Sequence, residues 1–416
     1  MPAHAASEVS SAPIHEPDPD SATSRGVARL INAGHAIDHM FLLIFATAVG
    51  SIAAEFGFDR WEDLMPYGVG AFALFGVGAL PSGRLGDLWG RRRMMLVFFF
   101  GIGASAVLAA LVRNAWELAA ALTLLGAFAS IYHPVGIPML LQRAHNPGAV
   151  IGVNGLSGNL GIAVAALSTG LLVQWFGWRA AFAIPGLLAM ACGLAFARLC
   201  PRETEAPARR TGKARVTLAP ALLARVFAVM TAASVTGSLL FNFTTNGNAQ
   251  LLAERFRGIV EDPALLGAML AGVYAVASLA QVVVGRLIDR VALKPLYLCI
   301  ALMQVPLLAL ATQAHGWWML VLLLAVMVFI FGSVPFTDAI IARYVDDRIR
   351  SRVAGARLTV SIGISSLAVW VLGPLVKASG FDTLLWTMTA IAACTVAVVL
   401  CLPGEGQGIL APKVKA

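Results

Sequence analysis

Charged side chains are scarce in this sequence. Asp, Glu, Lys and Arg make up 12% of the 416 residues, against about 25% in a typical soluble domain, and 59% of the residues are hydrophobic. A soluble fold of this composition would lack the polar surface needed to cover itself. The shortage of charge therefore excludes an ordinary soluble domain and favours a protein that lies in a membrane.

Cysteine is also rare, with five residues at Cys192, Cys200, Cys299, Cys394 and Cys401. No two of them have the spacing of a metal-binding or redox pair, so packing is their expected role, and we predict no metal and no cofactor. The glycines between 152 and 161 lie in an apolar run without a preceding strand or a P-loop lysine, which favours helix packing over nucleotide binding. We therefore expect neither an enzyme nor a self-contained ATP-driven pump.

Long apolar runs, in contrast, fill most of the chain. Each is about 20 residues or more, enough to cross a hydrocarbon layer of about 30 Å as a helix. They lie near 28–54, 65–85, 94–113, 116–142, 149–175, 178–199, 220–250, 264–285, 295–313, 316–343, 353–376 and 382–402. The predicted fold class is an all-α polytopic membrane protein with twelve transmembrane helices.

The net charge of +8 is explained by where the basic residues fall. If both termini lie on the inner side, six of the 30 basic residues lie outside: Arg60, Arg113, Arg179, Arg255, Arg257 and Lys377. The positive-inside rule then predicts a multi-pass protein of the cytoplasmic (inner) membrane with both termini in the cytoplasm. This asymmetry removes the need for a nucleic-acid partner.

The chain repeats itself in two halves. The segment "GRLGDLWGRRR" at 83–93 returns as "GRLIDRVALKP" at 285–295, and "VIGVN" at 150–154 is answered by "VAGAR" at 353–357. We predict two six-helix bundles, 28–199 and 220–402, with a cytoplasmic linker at 200–219 and a cytoplasmic C-terminal tail at 403–416. Residues 1–27 are rich in Pro, Ser and acid near their start, so we expect a disordered cytoplasmic tail and no signal peptide.

The segment at 83–93 resembles the signature between the second and third helices of the major facilitator superfamily, and its degenerate second copy is also expected of that family. The resemblance implies the fold with two pseudo-symmetric halves and a gate on the cytoplasmic side. The implied gating residues are Gly83, Asp87, Gly90, Arg91 and Arg92 in the first copy and Gly285, Arg286, Asp289 and Arg290 in the second. Asp87 can pair with Arg91 or Arg92, or cap a helix of the opposite half. A cluster that only keeps the loop inside would explain the arginines but not Asp87.

Four polar residues interrupt the first apolar run, in and just before "GHAIDHMF" at 34–41. At 100° per residue, Asn32, His35, Asp38 and His39 fall within an arc of about 120° on one helix face. Ionisable groups are costly against lipid, so this face should look into the bundle or an aqueous cavity. We expect His35 about 9 Å and His39 about 15 Å from the cytoplasmic end of the helix.

The fourth and fifth helices bring polar groups to the same depth. His133 in "IYHPVGIP" and Asn159 in "GVNGLSGNLGI" each lie about 15 Å from their cytoplasmic ends, and Asn154 lies nearby. Pro134 and Pro138 are expected to bend or loosen the fourth helix. These residues together with those of the first helix predict a substrate and proton site, because His and Asp exchange protons readily. The alternative is that the histidines only join helices by hydrogen bonds.

A narrower resemblance concerns three helices. The His and Asp in the first, "HPVG" in the fourth and "GLSGNLG" in the fifth are similar to the fosmidomycin-resistance type of efflux transporter, which implies working roles for His35, Asp38, His133 and Asn159. Many proton-coupled drug antiporters carry an arginine in the fourth helix and a Gly-Pro pair in the fifth. Both are absent from these segments, so the common antiporter mechanism does not transfer directly.

The second half offers different groups. Asn242 and Asn246 in "FNFTTNGNAQ" lie toward the outer end of the seventh helix, where Gly247 and the asparagines predict a broken or flexible segment, either an external gate or a frayed end. Arg357 either meets an anionic substrate or reaches the membrane surface. Asp338 is expected in a salt bridge with Arg343 or a neighbouring helix.

These features predict a secondary active transporter of a small molecule, working by alternating access as a proton-coupled exporter of drugs or metabolites. An importer or facilitator of small organic anions is the alternative within the same class. A membrane sensor or scaffold is the alternative of another class. The expected partners are the small-molecule substrate, protons and the lipid bilayer, with the chain acting as a monomer.

Overall fold

The computed structural model describes residues 25–59, 61–142, 144–209 and 220–403, and these ranges contain helices but no strand. The helices of the first part are α1 (Arg25–Glu55), α2 (Trp61–Leu64), α3 (Val69–Val77), α4 (Ala79–Trp89), α5 (Arg91–Leu111), α6 (Ala115–Ala129), α7 (Ile137–Leu141), α8 (Pro147–Phe176) and α9 (Trp178–Leu199). Those of the second part are α10 (Pro220–Arg255), α11 (Pro263–Ile288), α12 (Leu293–Ala311), α13 (Gly316–Ser333), α14 (Pro335–Tyr344) and α15 (Arg350–Leu400).

The described residues contain ten helices that are long and apolar enough to cross a membrane, and a bent pair that includes α3 and α4 adds an eleventh. The helix α15 has 51 residues, about 76 Å at 1.5 Å per residue, which is more than twice the thickness of a hydrocarbon layer. Gly380 interrupts it with φ 76° and ψ 173°, a backbone conformation that only glycine adopts readily. Divided there, α15 supplies two spans, consistent with the predicted twelve.

Two of the predicted spans are interrupted. The second span bends by 42° between its two helices, next to Gly78. In the fourth span, α6 ends at Ala129, and a π-helix, Tyr132–Gly136, precedes α7. Pro134 and Pro138 lie within this stretch and have no N–H for the helical ladder, so the predicted loosening of the fourth helix is confirmed.

The predicted break in the seventh helix is wrong. The helix α10 continues from Pro220 to Arg255 through Gly247. Its polar side chains bond back to the helix itself: the amide of Asn242 donates to the carbonyl of Ser238 and that of Asn246 to the carbonyl of Asn242, both at 3.0 Å. Because these amides bond to carbonyls one turn earlier, the asparagines do not interrupt the helix.

Several predicted boundaries lie outside the described residues. These are the tail at 1–24, the linker from 210 to 219 and the C-terminal tail from 404 onward. Where the chain is described, α1 already begins at Arg25, three residues inside the predicted tail, and Pro207–Arg209 forms a 3₁₀ turn in the predicted linker.

The outer surface is apolar, as a lipid-facing surface should be. Of the eight tryptophans whose side chains the structure describes, seven are exposed, among them Trp116 at 76% and Trp318 at 72%. Exposed tryptophan suits the boundary between lipid and water, where one side of the ring is wet and the other apolar.

The helices α4 and α15 pack together, as do α8 and α11, and both contacts join the two halves. They are tight at the end of the bundle that carries residues 25 and 403. There a Cβ on Gly148 would lie 2.3 Å from the carbonyl oxygen of Gly285, and one on Gly83 would lie 2.2 Å from that of Ser351. Toward the other end of α8 and α11, Gly170 and Gly267 have no such neighbour within 4 Å. The halves are thus packed closely together at the end that carries residues 25 and 403, the closed end of the bundle.

Candidate functional site

A cavity of about 180 Å³ lies between the two halves. The first half contributes His35, His39, His133, Asn154 and Asn159 to its wall, and the second contributes Asn242, Asn246, Gln281, Asp338 and Arg357. Phe72, Phe75 and Phe241 also line it, so most of the surface between the polar groups is apolar. A cavity of this type fits a small molecule that has both apolar and polar parts.

Three histidines meet in the wall of the first half. His35 and His39 lie one turn apart on α1, and His133 lies in the π-helix. The Nε2 atom of His39 is 3.2 Å from Nε2 of His35 and 3.3 Å from Nε2 of His133. The helix face predicted from the spacing of α1 therefore points into the bundle, and the pairing of the first and fourth spans is present.

The orientation of His35 is set by its neighbours. Its Nδ1–H donates to the backbone carbonyl of Asn154 at 2.8 Å, and its ring stacks on Tyr132 with centroids 4.6 Å apart. A carbonyl only accepts, so Nδ1 carries the proton and Nε2 of the neutral ring faces the other histidines with a lone pair.

The side chain of Asn154 connects α8 to α1 and to the π-helix. Its amide donates to Oδ1 of Asn32 at 2.8 Å and to the hydroxyl of Tyr132 at 2.7 Å. The Tyr132 hydroxyl in turn donates to the carbonyl of Ile31 at 2.9 Å. Asn32 thus supports the cavity wall from behind. Tyr132, which adjoins His133 in the chain, also belongs to the wall's support, although no pattern in the sequence indicated it.

Asp38 lies behind the histidines with no exposed surface. Its Oδ2 atom is 3.7 Å from Nε2 of His133, and within the described residues neither carboxylate oxygen has a hydrogen-bond partner. A carboxylate without partners in such a place is costly unless it binds a proton or a cation. Asn159 is also buried, and its amide nitrogen lacks a partner within the same part of the chain.

On the opposite wall, Arg357 pairs with Asp338 at 2.8 Å and also donates to Thr337. Both charged side chains are largely buried. Arg357 therefore does not extend to the membrane surface, and Asp338 pairs with a neighbouring helix. The amide of Asn242 donates to Oγ of Ser365 at 3.1 Å, which ties α10 to α15 beside the cavity.

The closed end is held by the first copy of the repeated motif. Asp87 accepts a hydrogen bond at 2.8 Å from the backbone N–H of Arg352, in the first turn of α15, and lies 3.6 Å from Arg91. Arg91 has no exposed surface and reaches Asp347 at 2.8 Å and Oγ of Ser351 at 3.0 Å. Asp87 and Arg91 thus bind the start of α15, which belongs to the other half.

The second copy makes the matching contact. Asp289 accepts hydrogen bonds from the backbone N–H groups of Gly148 at 3.0 Å and Ala149 at 2.9 Å, in the first turn of α8. Gly285 packs against Gly148 and allows the two backbones to approach. Each half therefore caps a helix of the other with an aspartate.

The other predicted motif residues differ in what they contact. Gly90 has φ 101°, which suits glycine, and joins α4 to α5. Arg92 bonds within its own half, to the carbonyls of Ala197 and Cys200. Arg286 and Arg290 are exposed at the closed end. The partners Asp347, Ser351 and Arg352 were not predicted, because the motif does not indicate which helix it meets.

The sequence model of the Major Facilitator Superfamily matches residues 31–256, more than half of the chain. The chain belongs to the Major Facilitator Superfamily. Membership makes it a multi-pass membrane protein of a superfamily of transporters, and the cavity lies between its two halves.

Two curated proteins match part of this superfamily member. It is 32% identical over 143 residues to the Puromycin resistance protein pur8 of Streptomyces alboniger, covering 34% of this chain and 27% of that protein. It is 32% identical over 147 residues to a Probable actinorhodin transporter of Streptomyces coelicolor, covering 34% of this chain and 25% of that protein. The chain thus spans about a quarter of the length of each of these relatives.

Solved structures of the superfamily share the fold at low sequence identity. The proton:xylose symporter XylE, bound to 6-bromo-6-deoxy-D-glucose, aligns with a TM-score of 0.71 and 15% identity over 92% of this chain and 97% of its own. The human organic anion transporter MFSD10 (TETRAN) aligns with a TM-score of 0.70 and 15% identity, over 90% of this chain and 99% of its own. FucP in the outward conformation aligns with a TM-score of 0.67 and 13% identity, over 91% of this chain and 100% of its own. At these identities the likeness shows the fold alone.

Proposed function

We propose that this transporter exports small organic molecules from the cytoplasm in exchange for protons, by alternating access across the inner membrane. The observation that carries the proposal is the buried Asp38 beside His133 in the wall of the cavity, 3.7 Å apart. Ionisable groups inside a membrane bundle are costly and mark ion or substrate pathways. Here they lie beside the space that a substrate would enter.

The orientation of the protein in the membrane is inferred from the distribution of its basic residues. Since the positive-inside rule favours a cytoplasmic location for the basic end, we infer that the closed end is the cytoplasmic one and that the cavity opens to the outside. Asp87 and Asp289 then act as paired cytoplasmic latches that release when the transporter turns inward. In the inward-facing state α4 and α15 would separate at that end, as would α8 and α11.

Proton exchange is assigned to Asp38 with the three histidines. A proton arriving from outside reaches His39 and His133, which line the cavity, and passes to Asp38 behind them. Protonation neutralises the carboxylate as the substrate leaves to the outside, and the proton-loaded, substrate-free transporter then turns inward and releases the proton to the cytoplasm. His35 keeps its orientation through Asn154 and takes part as an acceptor.

The nature of the substrate is inferred from the wall and from the relatives. The wall combines aromatic rings with amide and histidine groups, which suits an organic compound with an apolar body. The two curated relatives are named for puromycin resistance and for actinorhodin, which are organic compounds and favour export as the direction.

The test uses purified protein in liposomes with an imposed pH gradient. Puromycin is the first substrate in a panel of aromatic drugs, and uptake is followed together with a trapped pH-sensitive dye. We expect the gradient to drive transport in the wild type. Asp38→Asn should abolish the gradient-driven part while downhill exchange remains, and Asp63→Asn, at an exposed position, should behave as wild type. Transport of drugs that is indifferent to the gradient would exclude proton coupling.

A second candidate is transport of small organic anions, favoured by Arg357 on the cavity wall. Asp338 already compensates this charge, so the wall offers little net attraction for an anion. Uptake of carboxylates that is lost in Arg357→Gln and kept in Asp38→Asn would favour this candidate. The absence of flux across both panels would instead favour the sensor or scaffold.

A further inference from the structure

The three histidines and Asp38 form a compact group of metal-binding atoms. One imidazole nitrogen from each of His35, His39 and His133 lies within 4.8 Å of the other two, and a carboxylate oxygen of Asp38 lies 3.7 Å from Nε2 of His133. We propose that these four side chains bind a divalent transition-metal ion of the Zn²⁺, Ni²⁺ or Co²⁺ type. The inference goes beyond proton-coupled export and does not depend on it.

The distances suit a common ion. A metal–nitrogen bond of about 2.0–2.1 Å in a tetrahedral site places neighbouring ligand atoms about 3.3–3.4 Å apart. The Nε2 atoms of His35 and His39 are 3.2 Å apart and those of His39 and His133 are 3.3 Å apart, close to this ligand–ligand distance. The Asp38 oxygen at 3.7 Å from His133 is only slightly farther. Since the widest pair of nitrogens lies within 4.8 Å, a shift of about 1.5 Å or less closes the site.

Hydrogen bonding alone does not account for this cluster. His35 uses its Nδ1–H for the carbonyl of Asn154, so its neutral ring presents a lone pair at Nε2. A neutral His39 has at most one proton at Nε2 and can donate to only one of its two histidine neighbours. Asp38 has no hydrogen-bond partner within the described residues. A cation among the three imidazoles would take a lone pair from each, and its charge would compensate the buried Asp38 beside His133.

The surroundings of His35 are those of a metal ligand. A ligating histidine usually donates its other N–H to a carbonyl or carboxylate, which fixes the tautomer and the ring orientation. The bond from His35 to the Asn154 carbonyl has this form, and the stacked Tyr132 holds the ring in place.

The donor set and its position indicate the kind of ion. Three imidazoles and one carboxylate suit Zn²⁺, Ni²⁺, Co²⁺ or Cu²⁺ and disfavour Ca²⁺ and Mg²⁺, which prefer oxygen ligands alone. His39 and His133 line the cavity, so a bound ion could take a further ligand from that side. Such a ligand would be water or an electron-donating group of a molecule in the cavity.

The test is equilibrium binding of Co²⁺ to the full-length protein in detergent, purified with an affinity tag free of histidine. Co²⁺ in a tetrahedral site of nitrogen and oxygen ligands absorbs visible light strongly, and Zn²⁺ should displace it. We expect one site per chain. Removing a residue that only hydrogen-bonds to a metal ligand costs about 10–100-fold in metal affinity. Removing a ligand itself should cost more, so we expect His35→Ala or His133→Ala to weaken Co²⁺ binding by about 100-fold or more.

His145→Ala is the matched control, because His145 is exposed in the loop before α8 and should leave the spectrum unchanged. If an alanine variant fails to fold, His39→Gln retains a polar side chain of similar size and should still lose the tetrahedral spectrum. A tetrahedral spectrum that persists in folded His39→Gln or His133→Ala would overturn the proposal, and so would a wild type that binds no Co²⁺ or Zn²⁺. Neither result would affect gradient-driven export, which the liposome experiment measures separately.

Discussion

Asp87 on α4 accepts a hydrogen bond from the backbone N–H of Arg352 on α15 at 2.8 Å. The two residues belong to opposite halves, and the contact lies within the buried part of the closed end. The charge of Asp87 thus faces the N-terminus of a helix that is also held by Arg91. The contact joins the halves through a helix cap, and its loss should affect the closed end first.

Asp87→Asn should weaken this closure. The amide still accepts from Arg352, but the charge that faces Arg91 and the start of α15 is removed, and each 1.4 kcal/mol lost shifts the population by about tenfold. Spin labels at Leu88 and Ile349, both exposed at this end, should report longer distances and a reduced closed fraction. Arg93→Gln, an exposed change in the same basic run, should leave the distances unchanged. An unaltered distribution in Asp87→Asn would show that the charge does not hold the end closed.

Gly148→Val should prevent the same end from closing. The new side chain would begin 2.3 Å from the carbonyl oxygen of Gly285, so α8 and α11 would have to separate. We expect transport to be lost while the protein remains folded, measured by flux in liposomes and by the melting temperature. Gly170→Val lies on the same helix with no neighbour within 4 Å and should retain transport. Equal activity of the two variants would contradict the close approach.

Tyr132→Phe should destabilise the first half. The change removes a hydroxyl that donates to the carbonyl of Ile31 and accepts from Asn154, leaving buried groups unsatisfied. Such a loss costs about 1–3 kcal/mol. The melting temperature in detergent should fall, and Tyr67→Phe, at a partly exposed tyrosine, should change it far less. A melting temperature of Tyr132→Phe equal to that of the wild type would mean that the Tyr132 hydroxyl contributes nothing to stability.

Arg357→Ala should be strongly destabilising because it leaves Asp338 buried without its cation. Breaking a buried ion pair by removing one partner costs about 3–5 kcal/mol. The double change Arg357→Ala with Asp338→Ala should recover most of that loss, since no charge is then left unpaired. The free energies of unfolding of the two single variants and the double variant measure the coupling between Arg357 and Asp338. Additive effects would indicate that the two side chains act independently.

Properties that depend on composition and local spacing could be predicted from the sequence. Apolar runs of about 20 residues located the spans, because crossing a hydrocarbon layer demands that length. The helical repeat placed Asn32, His35, Asp38 and His39 on one face, and two prolines indicated the interruption of the fourth span. The prediction for Gly247 failed because the side chains of Asn242 and Asn246 bond back to α10, which local propensity does not show.

By itself, the sequence determined that the chain is an all-helical, multi-pass membrane protein and that certain polar residues must face inward, because hydropathy and the helical period act along the chain. Tertiary structure alone decided which residues meet. It placed Asp38 beside His133, brought Nε2 of His39 within 3.3 Å of Nε2 of both His35 and His133, and joined Asp87 to Arg352 and Asp338 to Arg357. Such pairs depend on the rotation and depth of each helix in the bundle. Those are set by the packing of side chains that lie far apart in the chain.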